Sequence, residues 1–592
     1  MNSYAFPEGH YFSVIGNIRI GAGGQTRMAL LRHRLMQTHA GVTIPLVTFN
    51  PLPSYDPIRE NLLSEGLLLP DSQLLNMHES LRERDYLVDS DQTPAPPEPN
   101  WTVEETYTGE PDGTPWRIFV RGAHSGENHW DYLRQDGSRY LRAPVDSMIG
   151  TTQVFDKDER VVADLDGLGE LWRWWIMSIA PDDGPVFLIS DSRFIAYELG
   201  MLDDPRVCLL HQVHNPHQGG KRTWNSPVSG TYRQSMEALG WLDAMVLLTE
   251  RQKSDIEMMF GASDNLVAIP NPLDPVEVPA SPPKRPHGRI VMVARLDNQK
   301  RLDLAVSAFE ELASKNAVAR LDIYGDGPDR EALQLQIDAA GLGDRITLHG
   351  HTPNAADQFW SADLGWLTSE FEGWSLALLE GRLRGCPFVA FDCPYGPSEQ
   401  IDNGVDGVLV PRGDTSALTS ATLNLLANPD DLEAMREPAR LGALSHGFES
   451  YLHEWAAACA AAQDRKPGRT HITKTRLHLD TLRASGSHPH IVGRADVVGS
   501  GDPASMKLRW QMWLPESPAP VDLPLTFTVT DCSIHFEGRA DVGEIGFAPS
   551  DPRLSHRLLL EWGNSTHSFD LTVRRPESKI RRAMRKGRHK RS

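Results

Sequence analysis

Short apolar runs recur along two stretches of the chain, separated by helix-length segments whose apolar positions fall three and four apart. In the first stretch the runs cover residues 12–16, 42–49, 186–190, 207–211, 244–248 and 267–269. In the second they cover 290–293, 321–324, 346–348, 364–367, 388–391 and 408–410, with helical spacing over 303–313 and 329–340. Strands that are apolar almost throughout suit a sheet covered on both faces, and their alternation with helices predicts parallel α/β structure. The proline-rich segment 272–286 reads as the hinge between two such domains.

Two further stretches have a different texture. Residues 76–165 begin polar and proline-rich, then alternate aromatic runs with turns; Asp136-Gly137 between two such runs signals a hairpin. This predicts a β insert in the first domain. Residues 475–573 carry strand-like runs without helical period, which predicts a β-sandwich-like appendage. The expected organisation is a first Rossmann-like (acceptor) domain over 1–75 and 166–275, the insert over 76–165 and a second Rossmann-like (nucleotide-sugar) domain over 286–445. A closing helix over 446–465, the appendage over 475–573 and a basic tail over 574–592 complete it.

Composition narrows the class. At 592 residues the chain is too long for one core. No run reaches the roughly 18 apolar residues of a membrane span, and the first residues lack the basic and apolar regions of a signal peptide. The five cysteines are scattered without a C-x-x-C pair, so the sequence predicts neither a disulfide framework nor a zinc site, and a reducing cytoplasm fits. The net charge of −20 contains a tail from Arg574 onward with ten Lys/Arg against one Glu, leaving about −29 on the remainder. An acidic body argues against general nucleic-acid binding.

Four features carry candidate chemistry. Gly23 and Gly24 follow the first strand and open a helix, where bared amides suit a phosphate. Arg295 and Lys300 follow the first strand of the second block, at the sheet edge where open α/β folds bind ligands, and two cations there would neutralise a departing diphosphate. Glu372, Gly373, Ser375, Leu376 and Glu380 form a strand-to-helix element; amides near Ser375 and Leu376 can hold phosphate oxygens, and two carboxylates about two turns apart can face one cleft and accept hydroxyl hydrogen bonds. His211 and His214 end a first-block strand; at a spacing of three on extended backbone they point to opposite faces, so no metal site is predicted. They read either as sugar contacts or as capped loop histidines.

Taken in order, the Arg-x4-Lys pair, the Glu-x7-Glu element, Ile269-Pro270-Asn271-Pro272 and Tyr324-Gly325-Asp326-Gly327 resemble retaining glycosyltransferase family 4. The likeness is strongest over 190–440 and stops near 465. Tyr395-Gly396-Pro397-Ser398-Glu399-Gln400-Ile401, with the insert, is similar to the α-glycosyltransferases of wall teichoic acid and, in close relatives, of serine-rich adhesins. The resemblance implies a GT-B fold, a UDP-sugar donor, no metal or other cofactor, and a polyol-phosphate or glycan acceptor. Protein Ser/Thr transfer, or a non-catalytic subunit of the same fold, is the alternative. It places Arg295 and Lys300 on the diphosphate, Glu380 on the ribose, Glu372 on the transferred sugar, and Gly23 or Gly24 beside the diphosphate. Gly373, Ser375 and Leu376 fall on the phosphate loop, and His214 or His211 on the sugar. Ser375 and Trp374 depart from the usual Gly and Phe. Asp89-Ser90-Asp91 looks like the metal motif of the other large glycosyltransferase fold, but its polar setting marks a decoy. Further expectations are an oligomer contact through the insert and a peripheral hold on anionic membrane by the tail.

Overall fold

The computed structural model of the protein describes residues 4–21, 23–84, 102–108, 113–122, 128–145, 150–273, 276–281, 283–466, 471–483, 489–500, 502–530, 533–540, 554–562 and 565–571. The decoy Asp89-Ser90-Asp91, Cys532 and the tail lie outside them.

Both apolar blocks fold as parallel sheets. The first has seven strands in the order Leu266–Ala268, Ala244–Leu247, Val207–Gln212, Val186–Ser190, His10–Val14, Leu46–Thr48 and Leu74–Asn76. The second has six, in the order Ile346–Gly350, Arg320–Tyr324, Arg289–Val293, Leu364–Leu367, Phe388–Asp392 and Gly407–Pro411. Every residue of Val186–Ser190 and of Leu364–Leu367 is buried, the reason those runs are apolar throughout. Strand order reverses between His10–Val14 and Val186–Ser190, and again between Arg289–Val293 and Leu364–Leu367. These are the switch points where open α/β sheets leave a crevice beyond the strands' carboxyl ends.

The insert is a six-stranded antiparallel sheet from Thr102–Thr108 to Val161–Asp166, and Asp136-Gly137 turns between His129–Leu133 and Arg139–Pro144. Its Tyr132, Tyr140 and Leu141 share a core with Phe12 and Trp175 of the parallel domain. The boundary at 76 falls inside structure of the first domain. Leu74–Asn76 is its edge strand, and Met77–Glu83 is a helix whose first turn is capped by the Asn76 side chain accepting from the Glu79 amide. Three residues are too few to show a strand period, and the run over 42–49 likewise contracts to Leu46–Thr48 behind Pro45.

Helix Phe448–Arg465 returns to the first domain. Its Tyr451, Leu452, Trp455, Cys459 and Ala462, three and four apart, pack with Phe187, Leu210 and Val246 under the first sheet. Burying Trp455 completely is worth more than the roughly 1.5–3 kcal/mol of an aliphatic side chain. The appendage is a sandwich of two four-stranded antiparallel sheets closed on Trp510, Trp562, Ile534 and Leu558. Its first strand, His471–Arg483, begins earlier than the sequence suggests. Cys208, Cys386, Cys393 and Cys459 are buried and form no disulfide among the described residues.

Candidate active site

The two switch points face one another across a cavity of about 420 Å³. From the first domain it is walled by Gly23, Gly24, Gln25, Thr26, His214, Asn215 and Asn271; from the second by Arg295, Gln299, Lys300, Glu372, Gly373, Trp374 and Leu376, among others. Gly23 and Arg295, 272 residues apart in sequence, meet there because each follows a central strand.

Helix Gly24–Thr38 starts at the glycine pair, with Gly23 at the N-cap and no side-chain cap. Its first amides therefore open onto the cavity, a ready anion site. Opposite, the segment 294–301 is stitched to the segment 368–372. Thr368 Oγ1 donates to the Lys300 carbonyl (2.9 Å), the Glu370 amide to the Gln299 carbonyl (2.8 Å) and Gln299 Nε2 to the Phe371 carbonyl (3.0 Å). Lys300 Nζ then reaches Glu372 Oε1 at 2.6 Å, and Ser369 Oγ donates to the same oxygen at 2.6 Å. Arg295 is 68% exposed, lies 3.0 Å from Asp297 and donates from Nη2 to Gln299 Oε1 at 3.4 Å. An exposed cation and a half-buried one thus line one wall.

His214 is held from behind. Its Nε2 lies 2.7 Å from Asp191 Oδ1, and Asp191 is gripped by Arg32, which also donates to Gln212 Oε1 at 2.6 Å. Arg32 and Asp191 are almost wholly buried. Burial alone would raise the Asp191 pKa, but Arg32 and His214 outweigh it and hold the carboxyl down at about 2. Burial likewise opposes the charge on Arg32, and Asp191 more than restores it. The anion is thus permanent at neutral pH and fixes the histidine ring, leaving its other nitrogen for the cavity.

Three expectations are revised by this geometry. His211 does not reach the cavity: it is buried, Nδ1 against the Ser190 carbonyl (2.9 Å) and Nε2 against Ser235 Oγ (3.2 Å), and burial lowers its pKa to about 4. The Ser375 amide, expected to hold phosphate, donates instead to Gln400 Oε1 at 3.1 Å, while Ser375 Oγ caps helix Leu376–Leu383. Glu372 precedes that helix, so the helical spacing from Glu372 to Glu380 does not apply. Glu380 is half-buried outside the residues walling the cavity; burial raises its pKa, against the pull of Arg384 and of Arg27 from the first domain. Asp191, Arg32 and Gln25 were not foreseen. The one signal was an aspartate directly after a buried strand at the sheet's carboxyl edge.

Residues 278–442, which carry Arg295, Lys300, Glu372 and Gly373, match the family described as glycosyl transferases group 1. The chain carries a glycosyl transferases group 1 domain. Over 297 residues, 49% of this chain and 43% of the relative, it is 28% identical to a poly(glycerol-phosphate) alpha-glucosyltransferase of Bacillus subtilis (strain 168). Over 175 residues, 29% of this chain and 34% of the relative, it is 31% identical to the GtfA subunit of a UDP-N-acetylglucosamine–peptide N-acetylglucosaminyltransferase of Streptococcus gordonii. The chain therefore spans less than half the length of these curated relatives. Among solved structures, a mutant of S. aureus TarM in complex with fondaparinux, alpha-GlcNAc-glycerol and UDP superposes with a TM-score of 0.58 at 18% identity, over 76% of this chain and all of that one. The glycosyl transferases group 1 domain thus forms the second half of a GT-B fold, with the cavity between the two domains.

Proposed function

We propose that the protein is a retaining glycosyltransferase. It moves a hexose or N-acetylhexosamine from a UDP-sugar to a hydroxyl of a polyol-phosphate polymer or a related glycan. The observation that carries this reading is the cavity itself, in which helix-end amides at Gly23–Gly24, two cations at Arg295 and Lys300, the Glu372 carboxylate and His214 converge. Cations and amides would stabilise the diphosphate as the glycosidic bond breaks. Glu372 and His214 would hold the sugar hydroxyls. The acceptor hydroxyl attacks the face that the diphosphate leaves, through an oxocarbenium-like state, and the departing phosphate takes the proton, so positioning does most of the work. No metal is required in this scheme. Retention of Arg295, Lys300, Glu372 and Glu380 weighs against a non-catalytic subunit.

The acceptor class is supported by the Bacillus relative, whose name specifies poly(glycerol-phosphate). Likeness to the streptococcal GtfA subunit keeps transfer to protein Ser/Thr as the second reading. The test is purified protein with UDP-glucose or UDP-N-acetylglucosamine, scored for UDP release and for label on poly(glycerol-phosphate), poly(ribitol-phosphate) or a Ser-rich peptide. An α-linked product on a polymer is expected; label on peptide alone would give the second reading.

Among the described residues no helix is long and apolar enough to cross a membrane. A cytoplasmic enzyme held at the anionic inner leaflet by residues 574–592 fits the charge of that tail, at about 1 kcal/mol per basic residue near such a surface. Removing residues 576–592 is expected to release the protein from anionic vesicles in co-sedimentation; equal binding by both forms would refute the anchor. The exposed edge strand Thr102–Thr108 offers a contact for a second copy. Light scattering of a protein with the exposed edge residue Val103 replaced, Val103→Lys, tests this, and an unchanged mass would exclude it.

A further inference from the structure

A second group of cations stands beside the cavity but is not part of its wall. The Glu370 carboxylate is met by three guanidinium groups: Arg301 at 3.5 Å, Arg412 at 3.6 Å and Arg222 at 3.8 Å. Arg301 also pairs with Asp303 at 2.9 Å, yet three guanidinium groups against two carboxylates still leave one positive charge, with exposed Lys221 next in sequence. This is unexpected in a body that is otherwise strongly acidic. The three side chains stay partly exposed, at 19% for Arg222, 28% for Arg412 and 34% for Arg301, although Arg412 Nη1 itself is buried.

The group is rigidly built. The Arg222 guanidinium lies 4.0 Å over the Phe371 ring, and Arg412 Nη2 donates to the Lys221 carbonyl at 3.1 Å. Arg222 and Arg301 hold left-handed backbone, with φ of 55° and 47°. That conformation is costly for a non-glycine residue and persists only where surrounding structure imposes it, often at binding sites. The loop that bears Arg222 is pinned from the other side by the appendage. Trp224 Nε1 donates to the Ser517 carbonyl at 2.6 Å, and Asn225 Nδ2 to the carbonyls of Leu514 (3.2 Å) and Pro515 (3.0 Å). The appendage thus fixes a loop whose other end presses on the residues just before Glu372.

We propose that Arg222, Arg301 and Arg412 form a subsite for a phosphate of the acceptor, braced by the C-terminal appendage. Planar guanidinium forks match phosphate oxygens in pairs, and three forks share the single Glu370 carboxylate, leaving donors for a phosphate. Arg301 adjoins Lys300 and Glu370 lies two residues from Glu372, so a phosphate bound here sets the neighbouring polyol hydroxyl at the cavity mouth. The assignment rests on the function proposed above.

The experiment uses full-length protein with Arg222→Gln, Arg412→Gln and both together. A fluorescent glycerol-phosphate oligomer reports binding, polymer labelling reports transfer, and hydrolysis of UDP-sugar by water reports the donor side. The double variant is expected to weaken oligomer binding and raise the polymer KM at least tenfold, with a shallower salt dependence. UDP affinity, donor hydrolysis and Tm should stay close to the parent. Loss of oligomer binding in the variants when neither form transfers sugar would uphold the subsite and sink the acceptor reading. Equal polymer KM in parent and variant would sink the subsite and leave the acceptor reading intact. A parallel loss of UDP affinity, or displacement of the oligomer by inorganic phosphate at equal concentration and ionic strength, would overturn the subsite as an acceptor site.

Discussion

Gly373 lies directly against the backbone of His214: a Cβ built on Gly373 would come within 1.9 Å of the His214 carbonyl oxygen. The two residues belong to opposite domains, so this contact sets how closely the walls of the cavity approach. The obstructing atom is backbone and cannot swing aside. Gly373→Ala is expected to hold the domains apart by about 1 Å and to lower kcat/KM about 10²-fold, as misplacement of that size commonly does. The Tm should fall only slightly, because each domain keeps its own core. Activity within threefold of the parent would refute this role.

Lys300→Ala and Arg295→Ala are each expected to lower turnover about 10²-fold, near 3 kcal/mol of barrier, with the fold retained. The two should differ in kind. Lys300 neutralises Glu372, so its loss leaves a carboxylate that is 6% exposed beside the proposed phosphate site, and Glu372→Gln should restore part of the lost donor affinity. Arg295 is exposed, and its carboxylate partner Asp297 lies outside the residues walling the cavity. UDP affinity by calorimetry together with kcat would separate them; near-normal rates in both single variants would remove these residues from the reaction.

Turnover is expected to persist in excess EDTA, since leaving-group charge would be met by Arg295, Lys300 and helix-end amides. Loss of transfer on chelation, with recovery on adding magnesium or manganese, would refute the proposed mechanism.

How much of this was legible follows from where the information lies. The central strands could be read because burial on both faces forces unbroken apolar runs, as in Val186–Ser190. Arg295 and Lys300 could be placed because a strand immediately precedes them. By contrast, the Arg32–Asp191–His214 chain joins three segments separated by 159 and 23 residues, and no local pattern marks it. The occupant of the Ser375 amide, Gln400, is 25 residues downstream and beyond a further strand. Helix Phe448–Arg465 shows its apolar stripe in sequence, but not that the stripe belongs to the first domain. The bracing of the Arg222 loop likewise depends on an appendage almost 300 residues away.

Buried histidines make the fold sensitive to mild acid. Burial lowers the pKa of His33 and His211 to about 4, and of His78 and His217 to about 3, from an ordinary value of 6.5. All four are neutral in the folded protein, whereas in the unfolded chain each takes up a proton below 6.5. Their contribution is therefore fully present above that pH and is lost as pH falls from 6.5 toward 4, at up to about 1.4 kcal/mol per pH unit for each. The depressed carboxyl of Asp191 adds its own loss only lower, between its ordinary 3.8 and about 2. Thermal melts should therefore be flat above pH 7 and fall steeply between pH 6.5 and 4, before most carboxylates titrate. His217 isolates one part of this effect, because it is buried and neither ring nitrogen has a hydrogen-bond partner among the described residues. His217→Phe removes its titration and should recover about 2 kcal/mol of the stability lost between pH 6.5 and 5. A parent Tm unchanged from pH 8 to 5, or a His217→Phe curve parallel to the parent's, would show that these rings are protonated in the fold after all.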